Sequence, residues 1–185
     1  IPDPVFKARL LAASPSNQRA STQTPVYNST TNTWTVSSYN KIDTNNDGQI
    51  QVSEAQTIKY LSVISNSSSS SSITNLEGIV SFVNIVYLDC FDNQLTSINV
   101  QGLTNLQVLY CDSNQLNSIN VQGLTNLQQL GCGNNQLPSL NVQGLTNLQQ
   151  LYCYNNQLPS LNVQGLTNLQ YLYCNNNQLP SLNVQ

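Results

Sequence analysis

The most specific chemical motif in the chain is the acidic stretch DTNNDGQIQVSE, residues 43–54. Its spacing matches the 12-residue calcium loop of the EF-hand, whose oxygen ligands stand at positions one, three, five, seven and twelve. Glycine at position six allows the sharp turn, and isoleucine at position eight supplies an apolar anchor. The motif therefore predicts one structural Ca²⁺ ion, with the ligands Asp43, Asn45, Asp47, the Gln49 carbonyl and Glu54.

The alternative for this stretch is an ordinary Asn- and Asp-rich turn before a helix that Ser53 caps. Such a turn does not require Gly48, Ile50 and Glu54 together at calcium-loop spacing. The full match therefore favours calcium over the plain turn.

A second candidate chemistry is a column of cysteines that recur every 21 residues: Cys90, Cys111, Cys132, Cys153 and Cys174. Side chains in register on parallel strands point the same way, and five thiols cannot all pair, so we expect free, buried thiols that act as small hydrophobic groups. Partial disulfides or metal capture are the alternatives.

The elements that position these residues follow from the same 21-residue period. Its pattern LxxLxCxxNxL is typical of a leucine-rich repeat. We predict a solenoid with a parallel β-sheet on the concave side and an irregular, short-helical convex side. The asparagine column should satisfy backbone groups where each coil leaves its strand: Asn93, Asn114, Asn135, Asn156 and Asn177.

Residues 1–60 are predicted to form an N-terminal cap that holds the calcium loop. Asp3 and Pro4 start a first helix, and SEAQTIKYL forms the helix after the loop, with Ala55, Ile58 and Leu61 on one side. The Thr- and Ser-rich residues between them are expected to loop out. Within that loop, Trp34 and Val36 are predicted to add an edge strand over the cap.

Residues 61–185 are predicted to form the solenoid, which begins with a degenerate coil at 61–78. That coil keeps the repeat spacing at Leu61, Val63 and Asn66, and the serine run 67–72 is expected to be a flexible connector. About one extra helical turn is expected between Gly78 and Leu88. The chain has no Met, not even an initiator, and the repeat stops at 185 in mid-unit. Both ends therefore indicate a processed or trimmed product.

Composition argues against several classes of function. Only 7% of residues are charged, the net charge is −3, and no charged side chain follows Asp112, which disfavours nucleic-acid binding and favours an extracellular surface. No apolar run approaches the length of a membrane span. The chain has no histidine, and no Ser or Cys has a base beside it, so we predict that it is not an enzyme.

The stretches IPDPVFKARLL, IDTNNDGQIQVSEA and GIVSFVNIVYLDCFDNQLTSINV, in this order, resemble the secreted leucine-rich-repeat proteins of the Bacteroidetes, especially flavobacteria. The resemblance implies a signal peptide before Ile1, an EF-hand-like calcium cap, Asn-rich coils, and a C-terminal sorting domain for type IX secretion. The chain departs from shorter relatives in the insertion at 13–40.

The repeat register predicts three outward-facing columns on the concave sheet. The first column holds Tyr87, Val108, Gln129, Gln150 and Tyr171. The second holds Asp89, Tyr110, Gly131, Tyr152 and Tyr173. The third holds Phe91, Asp112, Gly133, Tyr154 and Asn175. Six of the nine tyrosines therefore lie on one face, beside a bare patch at Gly131 and Gly133.

We predict that this face binds a protein or glycan ligand through its aromatic residues: Tyr87, Phe91, Tyr110, Tyr152, Tyr154, Tyr171 and Tyr173. Tyr152, Tyr154 and Tyr173 should form the anchor. The plainer interpretation is that tyrosine suits an outward strand position. The predicted function is an adhesin-like or receptor-like binding module at the cell surface. The alternatives are a structural spacer and a non-catalytic appendage of a larger secreted protein or enzyme.

Overall fold

The computed structural model describes residues 1–65 and 72–181 of the 185-residue chain. Its helices are α1 (Pro4–Leu11) and α2 (Val52–Ala55), with a 3-10 helix at Ile79–Ser81. The strands before the repeats are β1 (Ala20–Ser21), β2 (Val26–Asn28), β3 (Thr33–Thr35) and β4 (Tyr60–Ser62). The repeats supply β5 (Tyr87–Asp89), β6 (Val108–Tyr110), β7 (Gln129–Gly131), β8 (Gln150–Tyr152) and β9 (Tyr171–Tyr173).

One seven-stranded sheet, in the order β1-β4-β5-β6-β7-β8-β9, runs through the described residues. All pairs from β4 to β9 are parallel and in register, so that Leu109 lies between Leu88 and Leu130. These leucines point inward and are fully buried. The alternation of inward Leu and outward polar residues is the physical reason for the register. The predicted parallel-sheet solenoid is confirmed.

The asparagine column satisfies the backbone at each strand end, as predicted. Asn114 donates to the carbonyls of Cys90 and Cys111, both at 3.1 Å, and accepts from the Leu95 amide at 3.0 Å. Each asparagine thus links two neighbouring coils. The same pattern recurs at Asn135, Asn156 and Asn177.

Amide side chains also tie the coils together outside the sheet, where charges are missing. Gln101 donates to the Asn120 carbonyl at 3.0 Å, and Asn126 donates to the Thr104 carbonyl at 2.8 Å. Both contacts repeat one coil later. Uncharged carboxamides can stack at this spacing without the repulsion that a column of like charges would create.

The N-terminal helix is anchored to the first coil by its capping residue. Asp3 caps α1 by accepting from the Phe6 amide at 2.8 Å, as predicted. Its other carboxylate oxygen accepts from the amides of Thr74 and Asn75 at 2.9 and 3.0 Å. Burial raises the pKa of Asp3, but these hydrogen bonds outweigh burial and lower it overall. Arg9, also buried, donates to the Ile64 carbonyl and to Asn93.

The helix after the acidic loop is shorter than predicted. Only Val52–Ala55 is helical, whereas Tyr60–Ser62 forms strand β4. Ile58 and Leu61 are buried, but not on one helical stripe. The chain leaves the helix because it pairs with β1, where Lys59 donates to the Ser21 carbonyl at 2.8 Å. The expected extra turn after Gly78 is present as the 3-10 helix.

Two sequence predictions fall partly or wholly outside the described residues. Asn66 and all of the serine run except Ser72 lie there. The coil that precedes β5 is therefore described through β4 and through the segment from Ser72 onward. None of the helices in the described ranges is long and apolar enough to cross a bilayer.

The insertion at 13–40 forms structure that the sequence did not predict. Strand β1 joins the main sheet, and β2 and β3 pair as an antiparallel hairpin in which Tyr27 faces Trp34. The expected edge strand is present in part: Trp34 lies in β3, but Val36 does not, and the hairpin reaches the concave face instead of lying over the cap. Its strands are Thr- and Asn-rich, so they meet polar partners rather than an apolar core.

Candidate functional site

The second and third columns frame an open pocket on the concave face. The pocket has a volume of about 300 Å³, and its lining residues are Asp89, Phe91, Tyr110, Asp112, Tyr152 and Tyr154. Strands β5, β6 and β8, with the residues that follow them, bring these side chains together. Four of the aromatic residues predicted for a ligand face therefore share one pocket with two carboxylates.

The two pocket carboxylates differ from Asp3 and Glu54, because their few hydrogen bonds do not outweigh burial. Asp89 accepts from the Phe91 amide at 3.0 Å, and Asp112 accepts from the Gly133 amide at 2.8 Å. Burial nevertheless raises the pKa of each to about 6. All five Lys and Arg residues of the chain stand at or before Lys59. A buried carboxylate without a counter-charge is a frequent mark of a functional site.

The predicted bare patch at Gly131 and Gly133 is filled by neighbouring side chains. A Cβ atom at Gly131 would lie 2.1 Å from Asp112 Oδ2, and one at Gly133 would lie 2.5 Å from the Tyr154 ring. Both glycines are buried. Glycine at these two positions thus makes room for a carboxylate and an aromatic ring, rather than leaving a gap.

Stacked tyrosines support the pocket from both sides. Tyr87 stacks on Tyr60 with ring centroids 4.5 Å apart and meets the edge of Tyr110 at 5.9 Å. On the other side, Tyr152 stacks on Tyr173 at 5.1 Å. Tyr87 is only 8% exposed, so in the proposed face it acts as a support for Tyr110.

The remaining predicted aromatic residues are placed differently. Tyr171 and Tyr173 are each 50% exposed, and neither lines the pocket. Of the predicted anchor, Tyr152 and Tyr154 line the pocket, whereas Tyr173 contacts it through Tyr152. Sequence reasoning did not include Asp89 and Asp112 among the site residues. Their signal was available, since they are the charged members of the second and third columns.

The β2–β3 hairpin covers the first column beside the pocket. Gln150 donates to the Tyr27 hydroxyl at 3.1 Å and to Asn32 at 2.8 Å, and the Tyr27 hydroxyl donates to Asn32 at 2.6 Å. Gln150 and Gln129 are consequently 3% and 1% exposed, although they sit on the outward face. The hairpin thus covers the first column at Gln150, whereas Tyr171 at the end of that column stays 50% exposed.

The acidic loop folds as a tight coil. Gly48 has a φ of 75°, a value that glycine adopts readily, and its amide donates to Asp43 Oδ2 at 3.2 Å. The Asp47 amide donates to Asn45 at 3.0 Å, and the Gln49 amide donates to Asp47 at 2.8 Å. The turn chemistry expected of residues 43–49 is therefore present.

Glu54 closes the loop by accepting from its backbone. It accepts from the Thr44 amide at 2.7 Å and from the Gln51 amide at 3.1 Å. Burial raises the pKa of Glu54, but these hydrogen bonds lower it below its ordinary value. Within residues 1–65 and 72–181, no three His, Cys, Asp or Glu side chains cluster as metal ligands. Asp43 Oδ1 is buried without a hydrogen-bond partner.

The cysteine column lies inside the solenoid, directly behind the pocket. All five thiols are free, and four are fully buried. Cys111 donates to the Gly131 carbonyl at 3.2 Å, which confirms its inward register. Cys174 is partly exposed, contrary to prediction, because no described coil packs on it. Burial raises the pKa of Cys111 and Cys132 well above the ordinary value, so these thiols are poor nucleophiles.

Comparison with known proteins identifies the fold. No family model matches the chain, and neither does any curated protein sequence. An internalin (InlF) from Listeria monocytogenes is similar over 96% of this chain and 44% of its own, with 22% identity and a TM-score of 0.70. A leucine-rich-repeat protein from Leptospira interrogans shares 29% identity over 72% of this chain and 35% of its own, with a TM-score of 0.63.

The functional domain of InlJ from Listeria monocytogenes, which includes a cysteine ladder, is also similar. It covers 74% of this chain and 34% of its own, at 24% identity and a TM-score of 0.54. The chain thus spans less than half the length of each of these three structures. What these similarities establish is the leucine-rich-repeat solenoid fold.

Proposed function

We propose that the chain is an extracellular binding module that holds a ligand on the open part of its concave face. The observation that carries this proposal is the pocket in which four aromatic rings surround two carboxylates without a cationic partner. Solenoids commonly bind ligands on their concave surfaces. Rigid aromatic residues supply contact area there at low entropic cost.

The absence of charged side chains after Asp112 supports a position outside the cell, at the cell surface or secreted. The resemblance to secreted Bacteroidetes proteins points the same way and suggests export by type IX secretion. We propose that the chain is part of a longer protein, in which it supplies an adhesin-like or receptor-like segment. Its ligand is then a protein or a glycan.

A ligand screen tests this function. The chain is applied to a glycan array and to an array of surface proteins, beside a variant that carries Tyr152→Ala, Tyr154→Ala and Tyr173→Ala. Loss of these rings should abolish capture because Tyr152 and Tyr154 line the pocket and Tyr173 stacks on Tyr152. Tyr171→Ala is the matched control, since Tyr171 is as exposed as Tyr173 and does not line the pocket.

Equal melting temperatures of the wild type and the triple variant would show that the fold is intact. Retention of binding by the triple variant would contradict a ligand site at the pocket. A wild-type chain that captures nothing on either array would favour the spacer or the non-catalytic appendage instead.

We also propose that residues 43–54 bind a structural Ca²⁺ ion. The donors Asp43, Asn45, Asp47, the Gln49 carbonyl and Glu54 are all hard oxygens, as Ca²⁺ prefers. The buried, unpaired Asp43 Oδ1 is the kind of atom that a cation would satisfy. Because α1 also contacts the loop, where Lys7 donates to Gln49 at 3.1 Å, the ion would stabilise the cap.

Calcium titration by calorimetry tests this site. We expect heat of binding and a melting temperature that rises with calcium, because an ion that binds only the folded state stabilises it. Asp43→Asn should weaken binding strongly, whereas Asp92→Asn, an exposed residue in the repeats, should not. An absence of heat, together with an unchanged melt in chelator, would refute the calcium proposal.

A further inference from the structure

The pocket combines acceptors and aromatic faces with very few hydrogen-bond donors. The Tyr152 hydroxyl donates to Gln150 at 2.9 Å, and the Tyr110 hydroxyl donates to Gln129. Both phenolic protons are therefore used on first-column residues, next to the pocket rather than in it. The walls that remain are ring faces, carboxylate oxygens and the Tyr154 hydroxyl, so acceptors predominate and the pocket complements a ligand group that donates.

We propose that this pocket binds the cationic side chain of a protein ligand, an arginine or a lysine. The inference rests on the proposed binding function and specifies the chemistry of its ligand. A guanidinium or ammonium group carries donors and no acceptor. A sugar hydroxyl both donates and accepts hydrogen bonds. Its proton would find an acceptor in this pocket, but its oxygen would find few donors.

The position of Asp112 gives the strongest support. Its side chain is only 7% exposed, yet among the described residues only two backbone amides donate to it, that of Gly133 at Oδ1 and its own. Oδ2 lies over Gly131, in space that a Cβ atom would occupy. No side chain in the described part of the chain donates to this carboxylate, which lines the pocket with Asp89. A bound cation would supply the missing donor and the missing charge.

The surrounding rings fit the same ligand. A cation above the face of a tyrosine or phenylalanine is attracted by the ring quadrupole, and more strongly where water is excluded. Phe91, Tyr110, Tyr152 and Tyr154 provide four such faces around the carboxylates. The volume of about 300 Å³ suits one long side chain, since ligand pockets usually span roughly 300–1,000 Å³.

Small side-chain analogues test the pocket without an identified partner. Nα-acetyl-argininamide and Nα-acetyl-lysinamide are titrated into the ¹⁵N-labelled chain, and Nα-acetyl-citrullinamide serves as the neutral control. The Gly133 amide, which donates to Asp112, reports binding. We expect at least one cationic analogue to bind about tenfold more tightly than citrulline, which corresponds to one charge-assisted contact.

Two substitutions make the test specific. Asp112→Asn should weaken the cationic analogue about tenfold and leave the citrulline analogue unchanged. Gly131→Ala should also weaken binding, because its Cβ would displace the Asp112 carboxylate. Asp92→Asn, an exposed carboxylate in the coil before that of Asp112, should have no effect.

The affinity for the cation should fall as the pH is lowered from 7.5 to 5, because Asp89 and Asp112, each with a pKa of about 6, must be ionised. The other titratable groups that interact with these carboxylates or line the pocket are the phenols of Tyr60, Tyr87, Tyr110, Tyr152 and Tyr154 and the thiols of Cys90, Cys111, Cys132 and Cys153. Burial raises the pKa of each of these phenols and thiols above its ordinary value, so they stay protonated in this range.

Equal binding of citrulline and arginine analogues, or an affinity that does not depend on pH, would overturn the inference. Failure of this inference is distinguishable from failure of the proposed function. If a macromolecular ligand from the arrays still binds Asp89→Asn/Asp112→Asn with wild-type affinity, the binding function stands and the cation pocket is refuted.

Discussion

The first column of the concave face and the two columns beside it follow the same repeat, but they differ in whether the chain itself supplies partners for their buried polar groups. In the first column, Gln150 is satisfied by Tyr27 and Asn32 of the hairpin, and Gln129 is satisfied by Tyr110. In the second and third columns, Asp89 and Asp112 are partly or fully buried without any cation. The glutamines of the first column therefore have hydrogen-bond partners within the chain, whereas the carboxylates of the other two columns lack a counter-charge.

This difference distinguishes residues that stabilise the fold from residues that bind a ligand more clearly than their exposed fractions do. A buried polar group with partners in its own chain costs the fold little. A buried carboxylate without a counter-charge lowers stability, and it persists where a ligand supplies what the fold lacks. The comparison therefore assigns the hairpin-covered column to the fold and the pocket columns to binding.

The largest effect should come from neutralising the pocket. Because the pKa of Asp112 is raised from 3.8 to about 6, the fold loses stability as the pH rises between these values, and the loss is complete above pH 6. Asp112→Asn should therefore stabilise the chain by about 1–3 kcal/mol at pH 7, an order-of-magnitude figure from the size of the shift. At about pH 3 the gain should vanish, since Asp112 is then protonated in both the folded and the unfolded chain. Urea denaturation at the two pH values measures both quantities.

A loss of stability at pH 7 in Asp112→Asn would mean that the carboxylate belongs to the fold, and the two regions would not differ. Asp92→Asn is the control, because Asp92 is exposed.

A smaller change in stability is expected from a substitution at Gln150, which the hairpin covers. Gln150→Ala removes the hydrogen bonds to Tyr27 and Asn32 and should destabilise the chain by about 1–2 kcal/mol, the usual cost of leaving buried partners unpaired. Hydrogen exchange at β2 and β3 should accelerate together. Gln170→Ala, at an exposed position, is the matched control. Unchanged exchange in the hairpin would show that it does not depend on the first column.

The smallest expected effect is on the chemical labelling of the cysteine thiols, which lie behind the three columns of the concave face. Labelling with a thiol reagent under native conditions should reach Cys174 first, since the other four cysteines are fully buried. Unfolding should expose all five. Rapid native labelling of Cys111 or Cys132, counted by mass spectrometry, would contradict the strand register that defines the three columns.

The sequence was sufficient to predict the features that depend on the 21-residue period. Leu109 and Cys111 face inward, and Asn114 joins two coils, because one local rule repeats in every unit. The Asp3 cap was also predictable, since it depends on residues three positions apart. These interactions are local or periodic, so a pattern of residue types contains them.

The hairpin could not be predicted in the same way. Its contact with the sheet joins Asn32 to Gln150, which are 118 residues apart, through polar groups that leave no apolar pattern. The exit helix was overestimated because strand pairing at Lys59 overrode the helical preference of SEAQTIKYL. The pocket was predicted in part: its tyrosines follow from the columns, whereas the space that Gly131 leaves for Asp112 depends on how neighbouring coils stack.

The most direct test of the account is an NMR titration of the side-chain carboxyl groups of Asp89 and Asp112, with and without saturating Nα-acetyl-argininamide. We expect a pKa of about 6 for each in the unliganded chain and a clear decrease when the cation is bound, because the ligand supplies the missing counter-charge. Carboxyl groups that titrate near their ordinary value of 3.8 and do not respond to the cation would contradict it.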